Sequence, residues 1–316
     1  MTRTTLALAA LALAACSSSP SPAPPVAPAP PAMAAPTPAT ERTTADEQPA
    51  PAAVDRSTTV DGLRVHWREL GTGSGALVFV HGWGGDVDVW RFQAPVFAPR
   101  AHLILIDLPG HGASDKPRVD YTMPFLARAV DGVLEAAGVT RAVLIGHSMG
   151  TPVIRQVYRS DPKRVRALVA VDGTFKLPPF FADPASAKSF LARFETGYAT
   201  AMSAMLDAMT TPHMPPDVKR EMKDAFVSTP QHVALSAMRG MIAPEGWVED
   251  PIAVPVLSLL ARSPVWTDEY LAYVKRLAPD SEAKFIEDSG HFLMLENPEA
   301  FNAALLEYLE RRRLLE

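Results

Sequence analysis

At residues 146–150 the chain reads Gly-His-Ser-Met-Gly, after the apolar run AVLI (142–145) and ahead of a helical pattern over 149–160. A serine on a tight strand-to-helix corner holds its hydroxyl above the end of a sheet, where it can act as a nucleophile. Glycines on either side let the backbone close up without side-chain clashes. The Gly-x-Ser-x-Gly pattern alone is weak, because a chain of this length meets it by chance about one time in ten. Its place between a strand and a helix gives it weight. Two other stretches carry what Ser148 needs for acyl transfer. HGWGG (81–85) directly follows the run ALVFV (76–80), so the backbone N–H groups of Trp83 and Met149 are candidates to hold a developing oxyanion. DSGHFLMLENPEAF (288–301) carries His291 after the run AKFIED, and an imidazole there can take the serine's proton as base and return it as acid.

These residues need a scaffold that brings distant parts of the chain to one place. LRVHWREL (63–70) alternates and reads as an antiparallel strand, whereas ALVFV, HLILID (102–107), AVLIG (142–146), VRALVAVD (165–172) and VPVLSLL (254–260) are short continuous apolar runs. Such runs suit strands buried on both faces of a parallel sheet. Helical patterns lie between them at about 123–138, 149–160 and 267–277, and a last one at 297–312. The alternation predicts an α/β domain with a mostly parallel sheet and helices on both faces. Residues 176–250 break the rhythm with helical patterns near 185–209, 216–227 and 230–242 and no convincing strand. An insertion of this size is too long for a loop and reads as an inserted helical cap. Seven methionines fall in it: Met202, Met205, Met209, Met214, Met222, Met238 and Met241. They suit ordinary packing or a pliable apolar wall around a substrate.

With the HGW loop, the GHSMG corner, the loop DLPGHGASDKP (107–117) and a helical cap together, the chain resembles the α/β-hydrolase superfamily over about residues 60–316. The resemblance implies a serine hydrolase whose nucleophile, acid and base follow in that chain order. It departs from many relatives at Thr151, where they carry a further glycine, a change expected to alter packing beneath the corner. Many relatives place the acid shortly after the strand that follows the cap. Here that stretch reads VLSLLARSPVWTDE, and Ser263 or Pro264 stands at the expected position. Asp268 and Glu269 follow, but they suit the start of a helix. A second location, used by haloalkane-dehalogenase-like relatives, corresponds to Asp172 at the end of LVAVD. A carboxylate ending an apolar strand needs a partner, because burying it alone is costly, and His291 would be that partner. Asp172 is therefore the expected acid and Asp268 the alternative.

Other histidines are discounted as site residues. His81 and His111 read as structural hydrogen-bonders and His147 as a packed residue, while His213 and His232 lie in the cap. GTGSG (71–75) lacks the lysine of a phosphate loop and reads as a turn. No spacing suggests a metal or cofactor.

Outside the folded part, Arg3 and the apolar stretch at 6–15 read as a signal peptide, too short to span a bilayer as an ordinary helix. Residues 13–16, Leu-Ala-Ala-Cys, resemble a bacterial lipobox, which implies lipidation at Cys16 and attachment to the cell envelope. The serines that follow favour the outer membrane. Cys16 is the only cysteine, so no intrachain disulfide is possible. Residues 17–55 carry eleven prolines among Ala, Ser and Thr and read as a disordered tether, with the hydrolase domain from 56 to 316. The net charge of −5 and the lack of a basic block argue against nucleic acid as a partner. The arginines at 311–313 suit a solvated helix end.

The function expected is cleavage of small or medium hydrophobic carboxylic esters. Lactone opening, carbon–carbon hydrolysis and perhydrolysis use the same parts. A catalytically silent envelope binding protein is the alternative of another class. Nothing in the chain specifies an oligomeric state.

Overall fold

The computed structural model describes residues 53–316. Within them, β1 (Val54–Val60) and β2 (Leu63–Leu70) form a hairpin. It turns at Asp61 and Gly62, both with positive φ, as an Asp-Gly hairpin turn requires. There follow β3 (Ala76–Val80), β4 (His102–Ile106), α1 (Met123–Ala136), β5 (Ala142–His147), α2 (Gly150–Ser160) and β6 (Val165–Val171). The cap comes next, built from α3 (Pro184–Thr196), α4 (Tyr198–Met209), α5 (Pro216–Ser228) and α6 (Gln231–Ile242). The chain returns through β7 (Val256–Ala261), α7 (Asp268–Leu277), β8 (Ser281–Ile286) and α8 (Pro298–Arg311).

One eight-stranded sheet results, in the order β1-β2-β4-β3-β5-β6-β7-β8. β2 pairs antiparallel with β1 and β4, and every later pairing is parallel. This is the expected α/β-hydrolase fold. Every residue of β3, β5 and β7 is buried, which is why those strands read as unbroken apolar runs. The edge strands differ. β1 (VDRSTTV) and β8 (SEAKFI) carry charges and are largely exposed or half-buried, a composition that discourages pairing with another chain. That composition also hides β1 from a reading based on apolar runs. The strand starts at Val54, slightly ahead of the domain start expected at 56. The signal segment, Cys16 and the tether up to residue 52 lie outside the described residues.

The helical pattern expected as one unit over 185–209 is two helices, parted at Gly197, whose φ of −141° and ψ of 51° leave the helical region. Six of the seven cap methionines are buried and pack the cap's interior, while Met241 is half-buried and faces a cavity above the sheet. The cap is tied to the sheet domain by hydrogen bonds. Trp83 Nε1 donates to the Ala234 carbonyl at 2.8 Å, and the Tyr121 N–H donates to Ser236 Oγ at 2.9 Å.

Candidate active site

The corner after β5 is built by close backbone contact. A Cβ at Gly146 would lie 2.5 Å from the Gly150 carbonyl, and one at Gly150 would lie 2.4 Å from the Val80 carbonyl oxygen. The two glycines of the motif are therefore what allows α2 to start directly above β5 and β3. Ser148 sits between them with φ of +52°. That conformation costs a non-glycine residue roughly 1–3 kcal/mol. It is held by the Ser148 N–H donating to the Val171 carbonyl at 3.0 Å and the Thr151 N–H donating to the Ser148 carbonyl at 2.9 Å. Thr151 is fully buried, and its hydroxyl donates to the Gly146 carbonyl at 2.9 Å. The extra side chain at 151 fits because Gly173 lies opposite. A Cβ there would come within 1.9 Å of Thr151 Oγ1.

His291 and Asp172 meet. His291 Nδ1–H donates to Asp172 Oδ2 at 2.7 Å, with both side chains largely buried. Asp172 also has positive φ, at +43°, and its N–H is fixed by the Leu259 carbonyl at 2.8 Å. Its second oxygen accepts from the Ala261 N–H at 2.9 Å and from Trp266 Nε1 at 3.0 Å. The end of β7 and the stretch after it, where many relatives are expected to carry the acid, here supply two donors to a carboxylate just past β6. Asp268 stands exposed in the first turn of α7, behind Thr267, which caps that helix by accepting from the Tyr270 N–H at 3.1 Å.

The peptide of His291 is fixed from two sides. Its carbonyl accepts from His147 Nε2–H at 2.9 Å, and its N–H donates to the Met209 carbonyl at the end of α4, at 3.0 Å. Burial, then the neighbouring His291, hold the His147 imidazole well below the usual histidine range. His147 thus does more than pack. Glu296 works beside it. One oxygen accepts from the Gly290 N–H at 3.0 Å, the Thr211 N–H at 3.1 Å and the Thr211 hydroxyl, joining the His291 loop to the cap. Burial pushes the Glu296 carboxyl up.

The HGWGG loop packs against the corner. A Cβ at Gly82 would lie 3.0 Å from the Ser148 Cβ. His81 shapes the loop, with Nδ1–H donating to the Gly82 carbonyl at 2.8 Å and Nε2 accepting the Leu108 N–H at 3.1 Å. The backbone N–H groups of Trp83 and Met149 make no hydrogen bond among the described residues. The Trp83 indole points into the cap, edge-on to Phe194 and Phe226.

Ser148, Asp172 and His291 line one cavity of about 350 Å³. No hydrogen bond joins the Ser148 and His291 side chains; such contacts often tighten only once a substrate is in place. Phe181, Met241, Ile242 and Trp247 form its cap side and Trp266 the wall beside the acid. Trp83 and Met149 do not line it, and neither do His213 and His232. His232 instead contacts the carbonyls of Lys116 and Pro117. His111 Nδ1 bonds the Pro109 carbonyl. No metal-ligand cluster occurs among the described residues. Trp266 and Glu296 escaped the sequence reading. Nothing in SPVWTDE marks the tryptophan, whereas an acid inside the apolar stretch FLMLEN is a signal that a buried partner exists.

Comparison with known proteins follows the same lines. A family model described as the alpha/beta hydrolase fold matches residues 75–298. The pimeloyl-[acyl-carrier protein] methyl ester esterase of Klebsiella pneumoniae is 30% identical over 259 residues, covering 77% of this chain and 96% of the relative. The dihydrolipoyllysine-residue acetyltransferase component of the acetoin cleaving system of Cupriavidus necator is 28% identical, covering 86% and 72%. Among solved structures, Est816, described as an N-acyl homoserine lactone degrading enzyme, is 28% identical with a TM-score of 0.69 and covers 80% of this chain and 100% of its own. A thermophilic esterase from Thermogutta terrifontis shares the fold at 23% identity and a TM-score of 0.72, covering 83% and 99%.

Proposed function

The chain belongs to the alpha/beta hydrolase fold family and is a hydrolase, and from that premise we propose that it cleaves carboxylic esters through an acyl-enzyme formed on Ser148. The observation that supports this most is the 2.7 Å contact between His291 and Asp172 on the wall of the cavity that Ser148 also lines. In this reading His291 Nε2 removes the Ser148 proton as Oγ adds to the ester carbonyl. Asp172 keeps the other ring proton on Nδ1 and balances the imidazolium that forms. The N–H groups of Trp83 and Met149, which flank Ser148 without lining the cavity itself, are the proposed donors to the carbonyl oxygen as it becomes anionic. Collapse of the adduct breaks the bond to the alcohol, which leaves with the proton from His291. Water then repeats the sequence on the acyl-enzyme and frees the acid and the serine. The corner residue is serine, so routes that begin with an aspartate nucleophile there do not apply.

The cavity's apolar cap side suits a small or medium hydrophobic ester. A lactone is an internal ester opened by the same groups, and the likeness to Est816 favours including lactones among the substrates tried. A fluorophosphonate probe tests the reading. It should label the folded protein at Ser148, and Ser148→Ala should abolish both labelling and turnover of p-nitrophenyl butyrate. Unlabelled, inactive and well-folded wild-type protein would overturn it.

A further inference from the structure

Two cations on the cavity wall have no carboxylate partner among the described residues. Lys176 follows closely on Asp172, and Arg276 lies in the last turn of α7; both line the cavity that holds Ser148. Lys176 Nζ lies 5.1 Å and Arg276 Cζ 5.9 Å from the centroid of the Tyr273 ring, so one aromatic ring gathers both charges. Arg155 and Arg159, by contrast, share Asp250, and Arg312 takes Asp280. Besides Asp172, which is engaged by His291, the one carboxylate on the lining is Glu269, and it bonds neither cation. Glu249 also acts on the Tyr273 ring. Two cations thus face one free carboxylate on the lining, in a chain whose net charge is −5.

The backbone fixes this arrangement. Thr174 Oγ1 donates to the Lys176 carbonyl at 2.7 Å and accepts the Lys176 N–H at 3.1 Å. The Phe175 N–H donates to the Tyr270 hydroxyl at 3.1 Å, and the Tyr273 hydroxyl reaches the Phe175 carbonyl at 3.4 Å. The segment carrying Lys176 is therefore bonded to the helix carrying Arg276.

We infer that the substrate is an ester that carries a carboxylate beyond an apolar stretch, with the carbonyl at Ser148 and the carboxylate between Lys176 and Arg276. This rests on the ester-hydrolase reading of the Ser148 site. An ammonium and a guanidinium both suit a carboxylate oxygen. The hydrocarbon between the reacting carbonyl and the charge occupies the apolar part of the cavity. Because both cations are exposed, their attraction is screened by salt and modest in size.

The test compares mono-p-nitrophenyl adipate, which ends in a carboxylate, with p-nitrophenyl hexanoate, which ends in a methyl group. At low salt kcat/KM should favour the adipate by about tenfold, mainly through KM, and the advantage should shrink as NaCl is added. Lys176→Ala with Arg276→Ala should lower the adipate-to-hexanoate ratio at least about fivefold, and Lys176→Gln with Arg276→Gln serves as the second variant if the first folds poorly. Equal or better use of hexanoate, or a ratio that both variants leave alone, overturns the inference. Failure of the hydrolase reading looks different: neither ester is turned over in a Ser148-dependent way. Adipate binding to Ser148→Ala protein, followed by the fluorescence of Trp247 and Trp266 on the cavity wall, then decides. Saturable binding lost in the double variant upholds the carboxylate site, and no binding overturns it.

Discussion

A single hydrogen bond separates the two candidate acids for His291. Asp172 reaches Nδ1 at 2.7 Å, whereas Asp268 lies exposed in the first turn of α7. Asp172→Asn should lower kcat by about 10³–10⁴-fold, because an amide no longer enforces the tautomer or balances the imidazolium. Asp268→Asn should change it less than about twofold. Steady-state kinetics on p-nitrophenyl butyrate check both, and the reverse ranking would move the acid. Trp266 is the next residue out, donating to Asp172 Oδ1 at 3.0 Å. Trp266→Phe keeps most of the ring on the cavity wall and removes the donor. The loss of a hydrogen bond to a charged group is worth about 1.5–3 kcal/mol, so kcat should fall by about 10–100-fold. A purely structural role for Trp266 would lower thermal stability and leave kcat little changed.

Elements, rather than residues, bring Ser148, Asp172 and His291 within one cavity, and here the sequence was legible in parts. Continuous apolar runs mark β3 to β7 because both sheet faces are covered, and the glycines of the serine corner mark the close approach of α2 to β5 and β3. Asp172, the carboxylate that meets His291, was legible as a charge ending an apolar strand. β1 was not, since an exposed edge needs no apolar period, nor was the break at Gly197. Trp266 was hidden because its partner is distant in the chain. The fit of Thr151 against Gly173 needed coordinates for the same reason, and it carries its own prediction. Gly173→Ala drives a methyl into Thr151 Oγ1, and overpacking of this kind costs about 1–3 kcal/mol. In a Thr151→Gly background the same change should cost markedly less. A double-mutant cycle by chemical denaturation measures the coupling, and additive costs would count against direct contact.

At the scale of the whole molecule, the loop that carries His291 is one of the places where cap and sheet domain meet, and Glu296 fastens them there. Its carboxyl bonds Gly290 on one side and Thr211 on the other, and burial raises its pKa above the ordinary carboxylate value. The sign follows from linkage. Between the ordinary value and the raised one, the folded protein holds a proton that the unfolded chain has released, so stability falls as pH rises through that window. Below it the protonated group carries no such penalty. Glu296→Gln removes the ionisation while keeping an acceptor oxygen for Gly290 and Thr211. The difference in unfolding free energy between wild type and this variant should therefore shift in the variant's favour as pH rises from about 4 to 8, the span that brackets an elevated carboxylate titration. Urea midpoints taken across that range measure it, and a pH-independent difference would mean that Glu296 titrates no differently in the folded and unfolded states. If the fastening also positions His291, Glu296→Gln should lower kcat with KM little changed. The loop that Glu296 holds carries His291, whereas the walls that meet the substrate come from Phe181, Met241, Ile242 and Trp247 on the cap side and from Trp266.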